Sequence, residues 1–480
     1  MADARRACRG AITKADEKRI KAVLAEALAE ITPPRAETEN DLAIAEEVIG
    51  RLREKIPKEV EIALVGSVAK GTQLKGDKDV DIFLLFPKSR YSRADLDTIG
   101  LPCARHAVCK GAKCSTKHAE HPYLQTVVGG VDVEIVPAFK AHSAAEGGSA
   151  ADRSPFHTEY VLRRISEKGK GEVRLLKKFL KRLSVYGAEV KVEGFSGYLC
   201  ELLILKCGSF QGLLEEAACW QEPAIDLEGH YPSPAQAREK FAFPPLTVVD
   251  PVDRNRNVAA AVSQTSLSKF VLAARAFLRN PQTEFFFETE RKLGKKEFAE
   301  IRALAGRGAP FARALAFSAP DVVPDILWPQ LRRTARILFE RLEAAGFQVF
   351  DYAYWTDERK SCAIIFQLTV RELPAVEKVA GPEIQFVSGV EDFVRRHRNP
   401  LAGPWVGGNR IYSAKKRRFS RAEDLIWYIA GHPREFAIPS KIAPFLEKAR
   451  PLPVSALASP KYARFAHDFV HKKHYYLELY

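Results

Sequence analysis

No apolar run in this chain reaches the eighteen or so residues that a membrane-spanning helix requires, so no membrane partner is expected. The N-terminal stretch MADARRACRGAITKADEKR is charged and has no apolar core, which excludes reading it as a secretory signal. The 8 cysteines therefore lack an oxidising context, and reduced thiols in a cytoplasmic protein are the expectation. Internal repeats and long low-complexity tracts are absent as well. Negative charge is in short supply: 74 Lys and Arg face 60 Asp and Glu, a formal net charge of +14. The pI is about 9.3. Such a surplus favours a polyanionic partner, because each neutralised phosphate releases a condensed counterion. Charge alone leaves RNA, DNA and anionic membrane open. The hydrophobic share of 46% is ordinary for globular domains, and 480 residues suffice for about two to four of them.

The most informative stretch is GSVAKGTQLKGDKDVD (66–81), which lies between the apolar runs EIALV (61–65) and IFLLF (82–86). A Gly-Ser pair after a strand offers free backbone N–H groups to a phosphate. Asp79 and Asp81 are two apart at the head of the second strand, and alternation puts them on one face, roughly 6.6–7 Å apart along the backbone. Two carboxylates beside a phosphate-binding turn suit a divalent metal and a nucleotide. Taken singly, Gly-Ser is an ordinary turn and Asp-Val-Asp an ordinary solvated strand edge. In this order between two strands they resemble the signature of polymerase-β superfamily nucleotidyltransferases.

Nucleotidyl transfer needs a 3′-hydroxyl in line with the α-phosphate, charge neutralisation and a stabilised pyrophosphate. Two metals about 3.5–4 Å apart meet those needs, usually on three carboxylates. Asp79 and Asp81 supply two. The strand VDVEIV (131–136) offers Asp132 and Glu134, again two apart, and either is a candidate for the third.

Around this motif, periodicity predicts helices over 16–29 and 37–55 and a hairpin of 123–128 with 131–136, turning at Gly129-Gly130 and ended by Pro137. The small and polar residues of 141–155 read as the exit from a first domain. Helices follow at 158–166, 171–183, 195–210 and 257–278. The second of these carries Arg174, Lys177, Lys178, Lys181 and Arg182 largely on one face, either solvated or in contact with phosphate. An amphipathic helix over 330–345 and strands over 347–355 and 362–370 suit a ferredoxin-like unit. Basic residues interleave with aromatics in RRHR (395–398), KKRRF (415–419) and HKKHYYLELY (471–480), a mixture that can grip RNA backbone and stack on unpaired bases. The fold class expected is α+β and multidomain. It comprises a polymerase-β-like nucleotidyltransferase palm (1–142), a helical central nucleotide-binding domain (143–285) and a C-terminal α+β RNA-binding region with a ferredoxin-like unit (286–480).

From about residue 37 to its end the chain resembles the archaeal class I CCA-adding enzymes. The blocks that carry the likeness are GSVAKGTQLKGDKDVDIFLLFP (66–87), AEHPY (119–123), DRSPFH (152–157), EVRLLKKFLKRLSVYGAEVKVEGFSGYLCELLI (172–204), VVDPVDRNRNVAAAVS (248–263) and GPWVGGNRIY (403–412). The resemblance implies template-independent addition of C, C and A to tRNA 3′ ends from CTP and ATP, with two Mg²⁺ ions and release of pyrophosphate. It places Asp79 and Asp81 on the family's first two metal carboxylates and Glu134 on its third, where Asp is usual. Asp132 stands where the family often carries Glu, so the two acids look exchanged and the third ligand stays open between them. Ser67 falls on a triphosphate-contacting serine. Lys70 stands where Arg is usual, keeping the charge without the bidentate fork. His157, Lys177 and Tyr186 match nucleotide-binding positions, and Arg256 matches an arginine implicated in reading the incoming base. The tRNA acceptor stem and TΨC arm, approached in part by the 415–418 cations, and a homodimer are implied in the same way.

The segment CARHAVCKGAKCSTKHAEH (103–121) departs from the family, which usually has a helix there. Its Cys103, Cys109, Cys114, His106, His118 and His121 lack the short knuckle spacing of structural zinc, and reduced cysteines in an altered loop are the expectation. His121 reads as either structural or substrate-contacting. Two rival functions remain: another RNA 3′-terminal transferase, poly(A) polymerase-like or oligoadenylate synthetase-like, and an inactive RNA-binding relative. The blocks DRSPFH (152–157), YGAE (186–189) and RNVAAAVS (256–263) argue against the first rival, and the presence of both Asp79 and Asp81 against the second.

Overall fold

The computed structural model describes residues 14–109, 114–118, 122–288, 298–300 and 311–479. The chain divides into two compact units, residues 1–291 with 474–480, and residues 292–473.

In the first unit, helices α1 (Lys14–Ile31) and α2 (Arg35–Arg53) are interrupted at Pro33-Pro34, where the fixed φ and missing N–H stop one helix and admit the next. α2 buries Ile44, Val48 and Leu52, the stripe expected from a 3.6-residue period. Strand β1 (Glu61–Val65) leads into a one-turn helix α3 (Gly66–Lys70), and β2 (Asp79–Pro87) returns antiparallel to β1. Strands β3 (Ser115–His118), β4 (Pro122–Val128) and β5 (Val131–Lys140) complete a five-stranded sheet in the order β1-β2-β5-β4-β3. Of its pairings, β2 with β5 is the parallel one, and its register sets Asp79 beside Asp132 and Asp81 beside Glu134. Gly129-Gly130 forms the β4–β5 turn with both φ positive.

Pro137 does not end β5, which continues to Lys140. β4 pairs with β5 only as far as Ile135, so a residue without an N–H is tolerated where one side of the ladder is already open. The stretch 141–155 is not wholly a connector either. Its last residues begin helix α4 (Ala150–Leu162), whose N-terminus is closed by a capping box between Ser149 and Asp152. Asp152 is buried and also accepts the Phe139 N–H at 2.8 Å, tying this helix to β5.

Helices α5 (Glu167–Arg182), α6 (Gly197–Cys207) and α7 (Gln264–Arg279) are capped by Ser166, Ser196 and Ser263. α7 starts later than periodicity suggested, because 253–257 is a strand. Strands β6 (Ala224–Asp226), β7 (Thr247–Asp250) and β8 (Asp253–Asn257) form a small sheet. Phe179, Phe210, Phe270, Phe277, Phe285 and Phe286 meet edge-on or stacked in the centre of the helical core. Each such burial contributes about 1.5–3 kcal/mol. The chain end joins this core: Tyr476 is buried, and Tyr475 packs on Phe285 with the Arg182 guanidinium 3.6 Å from its ring centre. These two rings of the 471–480 segment are therefore committed to packing, not free to stack on bases.

The second unit runs β9 (Phe311–Ser318), α8 (Pro324–Ala344), β10 (Val349–Thr356), β11 (Ser361–Leu368), then, after an insertion, α9 (Ala422–Gly431) and β15 (Pro451–Pro453). Its antiparallel sheet has the order β10-β11-β9-β15. This is the βαββαβ ferredoxin-like arrangement. Both faces of β11 are buried, which explains its apolar run CAIIF (362–366). The insertion holds β12 (Val376–Glu383), β13 (Ala402–Gly407) and β14 (Arg410–Lys416) as a separate three-stranded sheet.

Candidate active site

The site begins with Gly66. Its φ of +78° lets the chain turn sharply from β1 into α3, and a β-carbon there would lie 1.9 Å from Asp81 Oδ2. The missing side chain is thus the space in which the Asp81 carboxylate sits, with Ser67 the next residue along. Alternation along β2 and β5 directs Val80, Ile82, Val133 and Ile135 into the core. Asp79, Asp81, Asp132 and Glu134 consequently share the opposite face.

The electrostatics of that face are those of crowded carboxylates. Burial, then the charges of Glu134 and Asp79, push Asp81 up to about 7 against the opposing pull of Lys70. Asp79 is raised by burial and by Asp77 and Asp132. Glu134 is raised by burial and by Asp79 and Asp132. Glu134 is half-buried, accepts Gln125 Nε2 at 3.3 Å and is hydrogen-bonded by Tyr123, whereas Asp132 is exposed. Hard oxygen donors of this kind suit Mg²⁺.

Beside it lies a buried polar network. Lys70 Nζ donates to Glu201 Oε2 at 2.6 Å, and Thr72 Oγ1 donates to Glu201 Oε1 at 2.7 Å. Lys177, buried on α5, donates to Thr72 O at 3.0 Å, and burial lowers its pKa. Gly197 opens the space around it: a β-carbon there would stand 3.2 Å from the Tyr186 hydroxyl and 3.7 Å from Lys177 Nζ. The structure thus brings Lys70, Lys177 and Tyr186 together with the turn after α3.

His157 and Arg256 meet at a residue of the 248–263 block to which the sequence alone assigns no role. Asp250, fully buried, takes His157 Nε2 at 2.9 Å and Arg256 Nη1 at 2.8 Å on Oδ2. Tyr198 Oη at 3.2 Å and the Val252 N–H at 3.1 Å reach Oδ1. Burial alone would raise this carboxyl, but the bonds from His157, Arg256 and Val252 outweigh it and hold Asp250 ionised. Since an ionised carboxylate only accepts, His157 carries its proton on Nε2. The His157 ring also stacks on Tyr198 at 4.0 Å.

The cations of α5 are engaged within the protein, Lys181 while remaining exposed. Arg174 donates to Gly71 O and Gln73 O, Lys181 pairs with Asp77, Lys178 lies over Phe287 and Arg182 over Tyr475. In the second unit, Arg417 is held by Glu377 at 2.8 Å and Arg418 lies 4.2 Å from the centre of the Tyr428 ring. In the 103–121 segment, Cys109 and Cys114 are joined by a disulfide, contrary to the expected reduced pair, their Cα atoms lying within bridging distance at 5.8 Å. Cys103 is free, and His121 lies outside the described residues.

Comparison with known proteins agrees along most of the chain. Residues 45–161 match the nucleotidyltransferase domain, 171–287 the second domain of tRNA nucleotidyltransferase, and 307–435 the C-terminal domain of CCA-adding enzyme. The CCA-adding enzyme of Pyrobaculum islandicum is 36% identical over 411 residues, 85% of this chain and 93% of that protein. The CCA-adding enzyme of Methanothermobacter thermautotrophicus is 38% identical over 379 residues, 78% of this chain and 80% of that protein. A solved structure of the Cid1 poly(U) polymerase with MgATP is 16% identical and aligns with 55% of this chain and 98% of its own at a TM-score of 0.45.

Proposed function

The chain belongs to the CCA-adding enzyme family of tRNA nucleotidyltransferases, and on that premise we propose how its residues perform template-independent addition of C, C and A to the tRNA 3′ end. CTP and ATP are the substrates and pyrophosphate the leaving group. The observation that carries the reading is the seat of Asp81 against Gly66, with the parallel β2–β5 register lining up the other acids beside it.

Asp79, Asp81 and Glu134 hold two Mg²⁺ ions. Glu134 is favoured over Asp132 because it is half-buried, oriented by Gln125 and Tyr123, and set beside Asp81 in the register. When bound, such ions make the 3′-hydroxyl a better nucleophile and screen the phosphates. The protein residues do the positioning. Ser67 and the backbone that follows Gly66 orient the triphosphate, Lys177 neutralises it, Tyr186 donates to phosphate or sugar, and His157, its Nε2 proton engaged by Asp250, offers Nδ1 as an acceptor to a sugar hydroxyl. Lys70 acts from its pair with Glu201, contributing charge to the acid face without reaching out as a fork. Arg256, braced by Asp250, presents fixed donors to the ring-nitrogen acceptors that cytosine and adenine share. Protein side chains together with the tRNA backbone then choose C and A.

The same reading divides the chain into a catalytic palm (1–142), a nucleotide-binding domain (143–285) and a region that receives the acceptor stem and TΨC arm (286–480), working as a homodimer in the cytoplasm. The test is extension of tRNA lacking CCA with each nucleotide singly and together. CTP alone should add two residues and stop, and ATP should then add one. A homopolymer tail would favour the poly(A) polymerase-like alternative. Mg²⁺-dependent turnover surviving Asp81→Ala would refute the carboxylate assignment.

A further inference from the structure

Within the second unit, helix α10 (Ala463–His471) carries His467 and His471 one turn apart, so their rings share a face, with centroids 4.3 Å apart. Glu300 comes to the same place from elsewhere in the chain. One ligand atom from each of the three side chains lies within 4.8 Å of the others. We propose that Glu300, His467 and His471 bind a divalent transition metal of the zinc class, fastening α10 to Glu300.

Two observations carry this. First, His471 Nε2 is buried without a hydrogen-bond partner, and Glu300 Oε2, at 3.6 Å, is too far to serve. A buried ring nitrogen left without a partner is costly, and a metal ion satisfies it where no donor or acceptor does. Second, His467 Nδ1 faces Asp468 Oδ1 at 3.4 Å. A metal-bound histidine commonly gives its other ring N–H to a carboxylate, which fixes the tautomer and leaves Nε2 for the ion.

Two imidazole nitrogens and one carboxylate oxygen favour Zn²⁺, Co²⁺ or Ni²⁺ over Mg²⁺, which prefers oxygen donors. Three protein ligands leave the remaining position to water. This centre is distinct in ligand chemistry from the all-oxygen acid face of the palm.

The test is Co²⁺ titration of the full-length, metal-stripped chain, followed by visible d–d absorption and displacement by Zn²⁺. The expected result is one saturable equivalent displaced by Zn²⁺ and not by Mg²⁺. His471→Gln and the near-isosteric Glu300→Gln should each weaken Zn²⁺ binding by more than about 100-fold. Asp468→Asn should weaken it by about 10–100-fold, as expected for a carboxylate that orients a ligand. Absence of a saturable Co²⁺ spectrum overturns the proposal. So does a spectrum unchanged in both His471→Gln and Glu300→Gln, or one with thiolate charge-transfer bands, which would place the ion on cysteine instead.

Discussion

Gly66→Ala isolates the packing of the acid face. Two costs arise at this position. The first is conformational: an L-residue at φ +78° is strained by about 1–2 kcal/mol. The second is steric. The new β-carbon stands 1.9 Å from Asp81 Oδ2 and 2.9 Å from its Cγ, so the carboxylate must retreat by more than an ångström to reach ordinary contact. A displacement of about 1 Å in a catalytic group can cost about 100-fold in rate. Gly76 supplies the control, because its φ is +81° and no atom lies within 4 Å of a β-carbon built there. Gly76→Ala should lose the same ~1–2 kcal/mol in urea denaturation and keep its turnover. Gly66→Ala should lose at least that stability and about 100-fold in single-turnover CMP incorporation, with tRNA affinity little changed. If Gly66→Ala turns over within about threefold of Gly76→Ala, Asp81 does not act from its seat against Gly66, and the positional argument fails.

Glu134→Ala should reduce incorporation by about 100-fold, equivalent to ~2.7 kcal/mol of transition-state stabilisation, while Asp132→Ala stays near the parent; the reverse order in a single-turnover assay would move the ligand to Asp132. Asp250→Asn removes the charge that holds His157 and Arg256, so the nucleotide KM should rise about tenfold or more and misincorporation increase, since a charge-assisted hydrogen bond is worth ~1.5–3 kcal/mol. An unchanged KM would show that Arg256 needs no brace. Glu201→Gln strands Lys70 in a buried setting and should cost ~3–5 kcal/mol of stability, read by denaturant titration, whereas Lys70→Met with Glu201→Leu should recover most of it.

The palm was legible from residues because its signals are local. Strand alternation put Asp79 beside Asp81 on one face, and Gly129-Gly130 named its own turn. Partners that meet only through tertiary approach left no such mark. Asp250 lies far along the chain from His157 and Tyr198, and Glu201 sits within what reads as a plain apolar helix, its charge matched by Lys70 from a distant stretch of sequence. Pro137 misled because its effect depends on whether a neighbouring strand is present at that point of the ladder. The terminal tyrosines misled because composition does not say which rings a core will claim. Cys109 and Cys114 are a similar case, since spacing alone did not fix how near their Cα atoms would come.

The side-by-side run of β2 and β5 has a consequence for synthesis. These neighbours are separated in sequence by β3 and β4, so their pairing is a long-range closure that forms late compared with hairpins. A nascent polypeptide that has emerged only through β4 owns Asp79 and Asp81 but neither Asp132 nor Glu134. An unfinished chain is therefore expected to be inert toward nucleotides at least until β5 has joined the sheet.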